Sequence, residues 1–151
     1  MGAEYMSDDK KNEIQQGVKG VDEDVYRAFE RSLKGKNLSS SDRQKATRVA
    51  QNILKKWDLE SSVLALEFEK ACSSLDDNRE GRFTKELIYK VSLILGIYAD
   101  LKRLFLQDLH RLEWLKNPNN NFDKVPPKEL LGEGSIRHLE KVSLYLKSWT
   151  H

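Results

Sequence analysis

The chain has 151 residues, of which 38% are hydrophobic and 33% charged, and its net charge is +2. This length allows one domain with a modest core, or two very small domains that share one. The single cysteine, Cys72, excludes an internal disulfide, and no apolar run reaches the roughly 20 residues that cross a bilayer. Because Met1 to Lys11 lack the apolar segment of a signal peptide, we expect a soluble cytoplasmic protein that does not act in a membrane.

The first elements differ sharply in composition. Residues 1–20 are polar and include Gly17 and Gly20, which predicts a flexible N-terminal arm. A first helix is predicted from Val21 to Leu33, because Val25, Phe29 and Leu33 recur at intervals of four and form one apolar stripe.

Leu38 to Ser41 should open a second helix, one of the serines should cap it, and Ser41 and Gln44 have the spacing of a capping box. Its expected buried face consists of Ala46, Val49, Ala50, Ile53 and Trp57. Residues 34–56 contain seven basic side chains and one acidic one, so this segment has the charge to contact nucleic-acid phosphates. The candidate phosphate contacts are Arg43, Lys45, Arg48, Lys55 and Lys56.

Two further helices are predicted in the middle of the chain. One spans Ser61 to Leu75 with Cys72 on its buried side, and the polar loop 76–81 follows it. The longest helix runs from Lys85 to about Leu106, is capped by Thr84 and should be the central strut. Gly96 interrupts it at a cost of about 1 kcal/mol relative to alanine, which a close approach of another helix would justify.

The C-terminal third predicts three short helical pieces. The first, Asp108 to Lys116, should end at Asn117-Pro118, because a residue before proline disfavours the α region. Pro126 and Pro127 should lead into one helical turn, Lys128 to Leu131. The last helix should run from Ser135 to Trp149. Its expected inward stripe is Ile136, Leu139, Val142, Leu146 and Trp149. The predicted fold class is all-α, a compact helical bundle.

Sequence motifs for catalysis are weak. Neither His110 nor His138 has a second histidine or a cysteine at the spacing of metal ligands, and Gly132-Glu133-Gly134 lacks the lysine of a phosphate loop. We therefore predict a protein that is not an enzyme and that needs no cofactor or metal.

A different role is expected for each of the three tryptophans. Trp57 is assigned to the core, and Trp114 is expected to pack the C-terminal helices together. Trp149 is either folded back on the last helix or exposed to a partner, since tryptophan is a favoured anchor at interfaces.

From Phe83 to Trp149, a little under half of the chain, the sequence resembles the antitoxins of the Xre/MbcA/ParS type. The matching residues are Leu95-Gly96-Ile97-Tyr98, Leu101, Leu104-Phe105, Trp114-Leu115, Asn117-Pro118-Asn119, Phe122, Pro126-Pro127, Leu130-Leu131, Gly134, Val142, Tyr145-Leu146 and Trp149. The resemblance implies a small all-helical protein that binds a RES-domain toxin, which in that family consumes NAD⁺. The C-terminal region would cover the entrance to the toxin's active site without performing chemistry itself.

The resemblance also implies a domain plan. An arm over residues 1–20 would precede an Xre-like domain over 21–100, with a degenerate helix-turn-helix, and a toxin-binding domain over 101–151. The chain would form a homodimer or a hetero-oligomer and possess some affinity for operator DNA. The residues expected to contact the toxin are Arg137, Glu140, Lys141, Tyr145, Lys147, Trp149 and His151. Truncation after Leu146 is expected to keep the fold and abolish neutralisation of the toxin.

A transcriptional regulator of the Xre type, without a toxin partner, is the alternative function. A reading helix normally presents basic or amide side chains to the major groove. The corresponding stretch here, residues 64–77, is acidic and contains no glycine, so it would repel phosphates. We therefore expect weak DNA binding with little sequence preference.

Overall fold

The computed structural model of this protein describes residues 39–73 and 82–150. Within them it is all-α, which confirms the predicted class. The helices are α1 Ser40–Lys56, α2 Val63–Ser73, α3 Lys85–Leu104, α4 Asp108–Lys116, α5 Pro127–Glu133 and α6 Ile136–Thr150, with a 3-10 turn at Asn120–Phe122. The predicted arm 1–20, the helix 21–33, the loop 76–81 and His151 lie outside the described residues.

Helix α1 is capped by one of the serines 39–41, as predicted. Ser39 has extended backbone angles, and its hydroxyl accepts a 3.1 Å hydrogen bond from the Asp42 amide. The cap is therefore Ser39, and the predicted capping box at Ser41 is wrong. The predicted apolar face is buried as expected, and Trp57 at the end of the helix is also in the core.

Helix α2 is shorter than predicted at its first turn. The Ser62 hydroxyl accepts a hydrogen bond from the Ala65 amide at 3.1 Å and donates one to the Leu59 carbonyl at 2.7 Å. These bonds keep residues 61 and 62 outside the helix, which starts at Val63. Cys72 is buried, as predicted, and burial raises the pKa of its thiol.

Helix α3 is the central element, and it packs against both α1 and α6. Thr84 caps it as predicted, accepting a 3.1 Å hydrogen bond from the Leu87 amide. Side chains on more than one side of this helix are buried, whereas a helix with a single apolar stripe buries only one face. The helix ends at Leu104 because Phe105 has an extended backbone, two residues earlier than predicted.

Helices α4 to α6 complete the bundle. Helix α4 ends before Asn117-Pro118, as predicted. Helix α5 starts with Pro127 and continues for seven residues, beyond the single turn predicted, until Gly134 enters the left-handed region at φ 77°. Helix α6 then packs against α3 in the same direction, since the pairs Tyr89–Glu140 and Asp100–Thr150 follow each other along both helices.

Candidate protein-binding surface

A row of aromatic side chains joins the ends of three elements. Phe105, at the end of α3, lies 6.5 Å between ring centroids from Trp114 of α4. Trp114 stacks on Tyr145 of α6 at 6.2 Å and 13°, and Tyr145 meets Trp149 edge-on at 6.3 Å. Phe122 closes the row with edge contacts to Trp114 and Tyr145. Trp114 therefore packs the C-terminal elements together, in the position predicted for it.

Tyr145 is an internal member of this row. Its ring contacts Trp114, Phe122 and Trp149, and its hydroxyl accepts a 3.1 Å hydrogen bond from the Asn121 side-chain amide. A ring held by these contacts supports the fold, and only a part of it remains for a partner. The toxin contact expected at Tyr145 stays a prediction, and it can involve only the exposed part of the ring.

Trp149 is the member of the row that is mostly in water. It lies on the last turn of α6 and is 66% exposed, although its ring touches Tyr145. The predicted inward stripe is thus wrong at Trp149, while Leu139, Val142 and Leu146 are buried as expected and Ile136 is partly buried. The physical reason is position: α6 ends at Thr150, so there is no further turn of described chain to cover the indole.

A buried carboxylate holds the turn that carries Trp149. Asp100 of α3 is 2% exposed, and it accepts hydrogen bonds from Lys147 at 3.3 Å and from Thr150 at 3.5 Å. Arg103 pairs with the same carboxylate at 3.3 Å. Lys147 therefore connects α6 to α3. The sequence analysis had predicted only a toxin contact for this residue. A fixed last turn reduces the entropy that Trp149 would lose on binding.

The other predicted contact residues of α6 do not share one face. Arg137 and Lys141 are exposed, whereas Glu140 is partly buried and accepts a hydrogen bond from the Tyr89 hydroxyl. This bond to Glu140, followed by burial, raises the pKa of Tyr89. The sequence analysis missed Leu144, which is 68% exposed on the same helix. The signal that could have identified it is a leucine that falls outside the apolar stripe of the helix.

The five predicted phosphate contacts of α1 divide into two groups. Arg43 donates a 3.1 Å hydrogen bond to the buried Phe83 carbonyl, and the Lys56 amine lies 5.6 Å from the Tyr98 ring centroid. These two support the packing of α1 on α3. Lys45, Arg48 and Lys55 are exposed on one side of α1, at helical spacing.

Helix α2 contains most of residues 64–77, the stretch that was compared with a reading helix in the sequence. Its exposed side includes Val63 and Leu66, two apolar residues that the sequence analysis did not assign to the surface. Glu69, on the same helix, pairs with Arg48 of α1 at 3.2 Å. This surface is apolar and acidic, so it does not match the charge of a DNA groove.

Comparisons with family models, with curated proteins and with solved structures give no match for this chain. None of the helices in the described part of the chain is long and apolar enough to span a bilayer. Among residues 39–73 and 82–150, no group of three or more histidine, cysteine or carboxylate side chains is placed to hold a metal ion.

Proposed function

We propose that this chain is a cytoplasmic antitoxin, which forms a complex with a RES-domain toxin and sterically blocks it. The family resemblance of residues 83–149 supports the identity of the partner. The observation that carries the proposal is the exposure of Trp149, a large aromatic held at the end of an ordered row of rings.

The mechanism needs no chemistry from this chain. An indole that is 66% exposed has apolar area to lose to a partner, and its contact with Tyr145 already fixes one of its sides. Seated at the mouth of the toxin's active site, Trp149 and the end of α6 would exclude the dinucleotide substrate.

Replacing Trp149 by alanine is the direct test. Loss of a buried aromatic anchor costs on the order of 2–4 kcal/mol of binding free energy, which weakens the complex roughly 30- to 1000-fold. The dissociation constant for a purified RES-domain protein would be measured by calorimetry, together with cell survival on co-expression. The melting temperature should stay close to that of the wild type, because the indole is mostly in water.

Leu144→Ala is the matched control, since Leu144 is equally exposed on α6 and lies away from the aromatic row. It should leave the dissociation constant unchanged within twofold. Equal binding by Trp149→Ala and wild type would reject the assignment of Trp149. Absence of any binding by the wild-type chain would reject the proposed function.

A point variant tests the role of Trp149 more clearly than a truncation does. A chain that stops after Leu146 loses Lys147 and Thr150, two of the groups that bond the buried Asp100. The truncated protein would therefore lose stability as well as the indole, because a buried carboxylate that loses hydrogen-bond donors is costly. The single substitution separates binding from folding, and the truncation predicted from the sequence does not.

A second candidate function, that of a DNA-binding regulator, is favoured by the exposed row of Lys45, Arg48 and Lys55. These side chains can contact phosphates, which positions a protein on a duplex without reading its sequence. We expect the chain alone to bind its own promoter and a scrambled duplex with similar, weak affinity. Both affinities should fall steeply with added salt. Fluorescence anisotropy at two salt concentrations measures this, and a promoter preference that survives high salt would contradict it.

A further inference from the structure

Helix α2 exposes two large apolar side chains on its outer face. Val63 is 66% exposed and Leu66 is 61% exposed, and residues three apart are neighbours on the surface of a helix. The opposite side of α2 supplies the core through Leu64, Phe68 and Ala71, which are buried. The core therefore does not need the two exposed residues, and they are available to another surface.

Ion pairs hold α2 in place on both flanks. The Glu69 carboxylate lies 3.2 Å from the Arg48 guanidinium of α1 and accepts a 2.6 Å hydrogen bond from the Gln51 amide. On the other flank, the Lys90 amine of α3 lies 3.0 Å from the Glu67 carboxylate. Both carboxylates of α2 are thus paired within the chain, and the exposed apolar pair stands on a helix that is fixed by its neighbours.

The outer face has an unpaired charge of opposite sign at each end. Glu60 is exposed in the turn before α2, and Lys70 is exposed four residues after Leu66, on the same side of the helix. No ion pair in the described part of the chain involves either of them. The two residues are separated by about 15 Å along the helix direction, so they cannot pair with each other.

This order of charges and apolar residues is complementary to itself. When two copies of α2 lie antiparallel, the negative end of one faces the positive end of the other. The midpoint of Val63 and Leu66 and the midpoint of Glu60 and Lys70 both fall at residues 64–65. A two-fold axis at this point places Val63 against Leu66 of the second copy. The same axis places Glu60 against Lys70 of the second copy.

We propose that the outer face of α2 is an interface between two copies of this chain, in which the two α2 helices pack antiparallel. The apolar pair supplies the affinity, and the two symmetric ion pairs fix the direction and register. Helix α2 has 11 residues and is about 16 Å long, so the interface is small and the dimer should form at about 100 μM and above. The inference does not rest on the proposed function, because only this chain takes part.

Sedimentation equilibrium of the full chain tests the apolar contact. Between about 10 μM and 1 mM, the wild type should change from monomer to dimer. Leu66→Glu places a carboxylate beside the axis in both copies and should raise the dissociation constant of the dimer about tenfold or more. Leu144→Glu is the matched control, since Leu144 is equally exposed but lies on α6, and it should change this constant less than about twofold. Both variants should melt close to the wild-type temperature in dilute solution, because both leucines are in water.

Charge reversals test the direction of the two helices. Lys70→Glu and Glu60→Lys should each weaken the dimer several-fold, because each puts like charges opposite one another, and added salt should reduce both effects. The double variant that exchanges the two charges should associate within about twofold of the wild type, since the ion pairs re-form with reversed sign. Such a rescue requires contact between chains, because Glu60 and Lys70 are too far apart within one.

Four results would overturn the inference. The first is a wild-type chain that stays monomeric up to about 1 mM. The second is a dimer that Leu66→Glu leaves intact, since the interface would then lie elsewhere. The third is a charge-exchanged double variant as weak as the single reversals, which contradicts the antiparallel register. The fourth is a monomeric chain that binds another protein through Leu66, which would assign the outer face of α2 to that protein.

Discussion

Replacing Val91 by aspartate is expected to unfold the protein. Val91 is fully buried near the middle of α3, the helix that packs against both α1 and α6. An aspartate there would put a carboxylate among apolar side chains, and the charged form is strongly disfavoured in such surroundings. The expected loss is about 4 kcal/mol or more, a large part of the roughly 5–15 kcal/mol that stabilises a typical domain.

Val63→Asp is the matched control for this change. Val63 is an exposed valine at the first position of α2, where the helix dipole favours a negative charge. The same substitution there should change the free energy of unfolding by less than about 1 kcal/mol. Circular dichroism during urea and thermal unfolding measures both variants. A Val91→Asp protein that melts at the wild-type temperature would contradict the placement of α3.

Replacing Gly134 by alanine is expected to destabilise the fold by about 2–4 kcal/mol, because two costs add. Gly134 has φ 77°, in the left-handed region that side chains with a Cβ rarely adopt. A Cβ atom there would also lie 2.9 Å from the Leu64 Cβ and 3.3 Å from the Leu64 Cα, so α2 would have to move. The reduced stability should appear as a lower urea midpoint.

Gly96→Ala is expected to have the opposite sign. Gly96 is buried within α3, but the nearest atom to an added Cβ is the Lys147 amine, at an ordinary 3.7 Å. Alanine is favoured over glycine in a helix by about 1 kcal/mol, so this variant should be more stable than the wild type. The close helix approach predicted at Gly96 is wrong. The tight contacts are at Gly134 and at Gly132, where a Cβ would lie 3.2 Å from the Leu59 side chain. A destabilised Gly96→Ala variant would contradict this reading.

Within the described residues, the helices and most of their buried faces could be predicted from local patterns in the sequence. Thr84 caps α3, Asn117-Pro118 ends α4 and Pro127 begins α5 as predicted, because these signals act within about one turn of the chain. The buried positions of α1 and α3 also follow their sequence periodicity. Local backbone chemistry and helical spacing are sufficient for such features.

Which side chains at the C-terminal end remain exposed depends on contacts between helices that are distant in sequence. Tyr145 and Lys147 looked like free contacts in the sequence, but one stacks on Trp114 and the other bonds Asp100, 47 residues away along the chain. Trp149 is exposed because α6 ends one residue beyond it, and Leu106 is exposed because it follows the end of α3, where the Arg111 guanidinium bonds its carbonyl. These outcomes depend on which helices meet and in which direction they run, and the periodicity of a single helix carries no information about its neighbour.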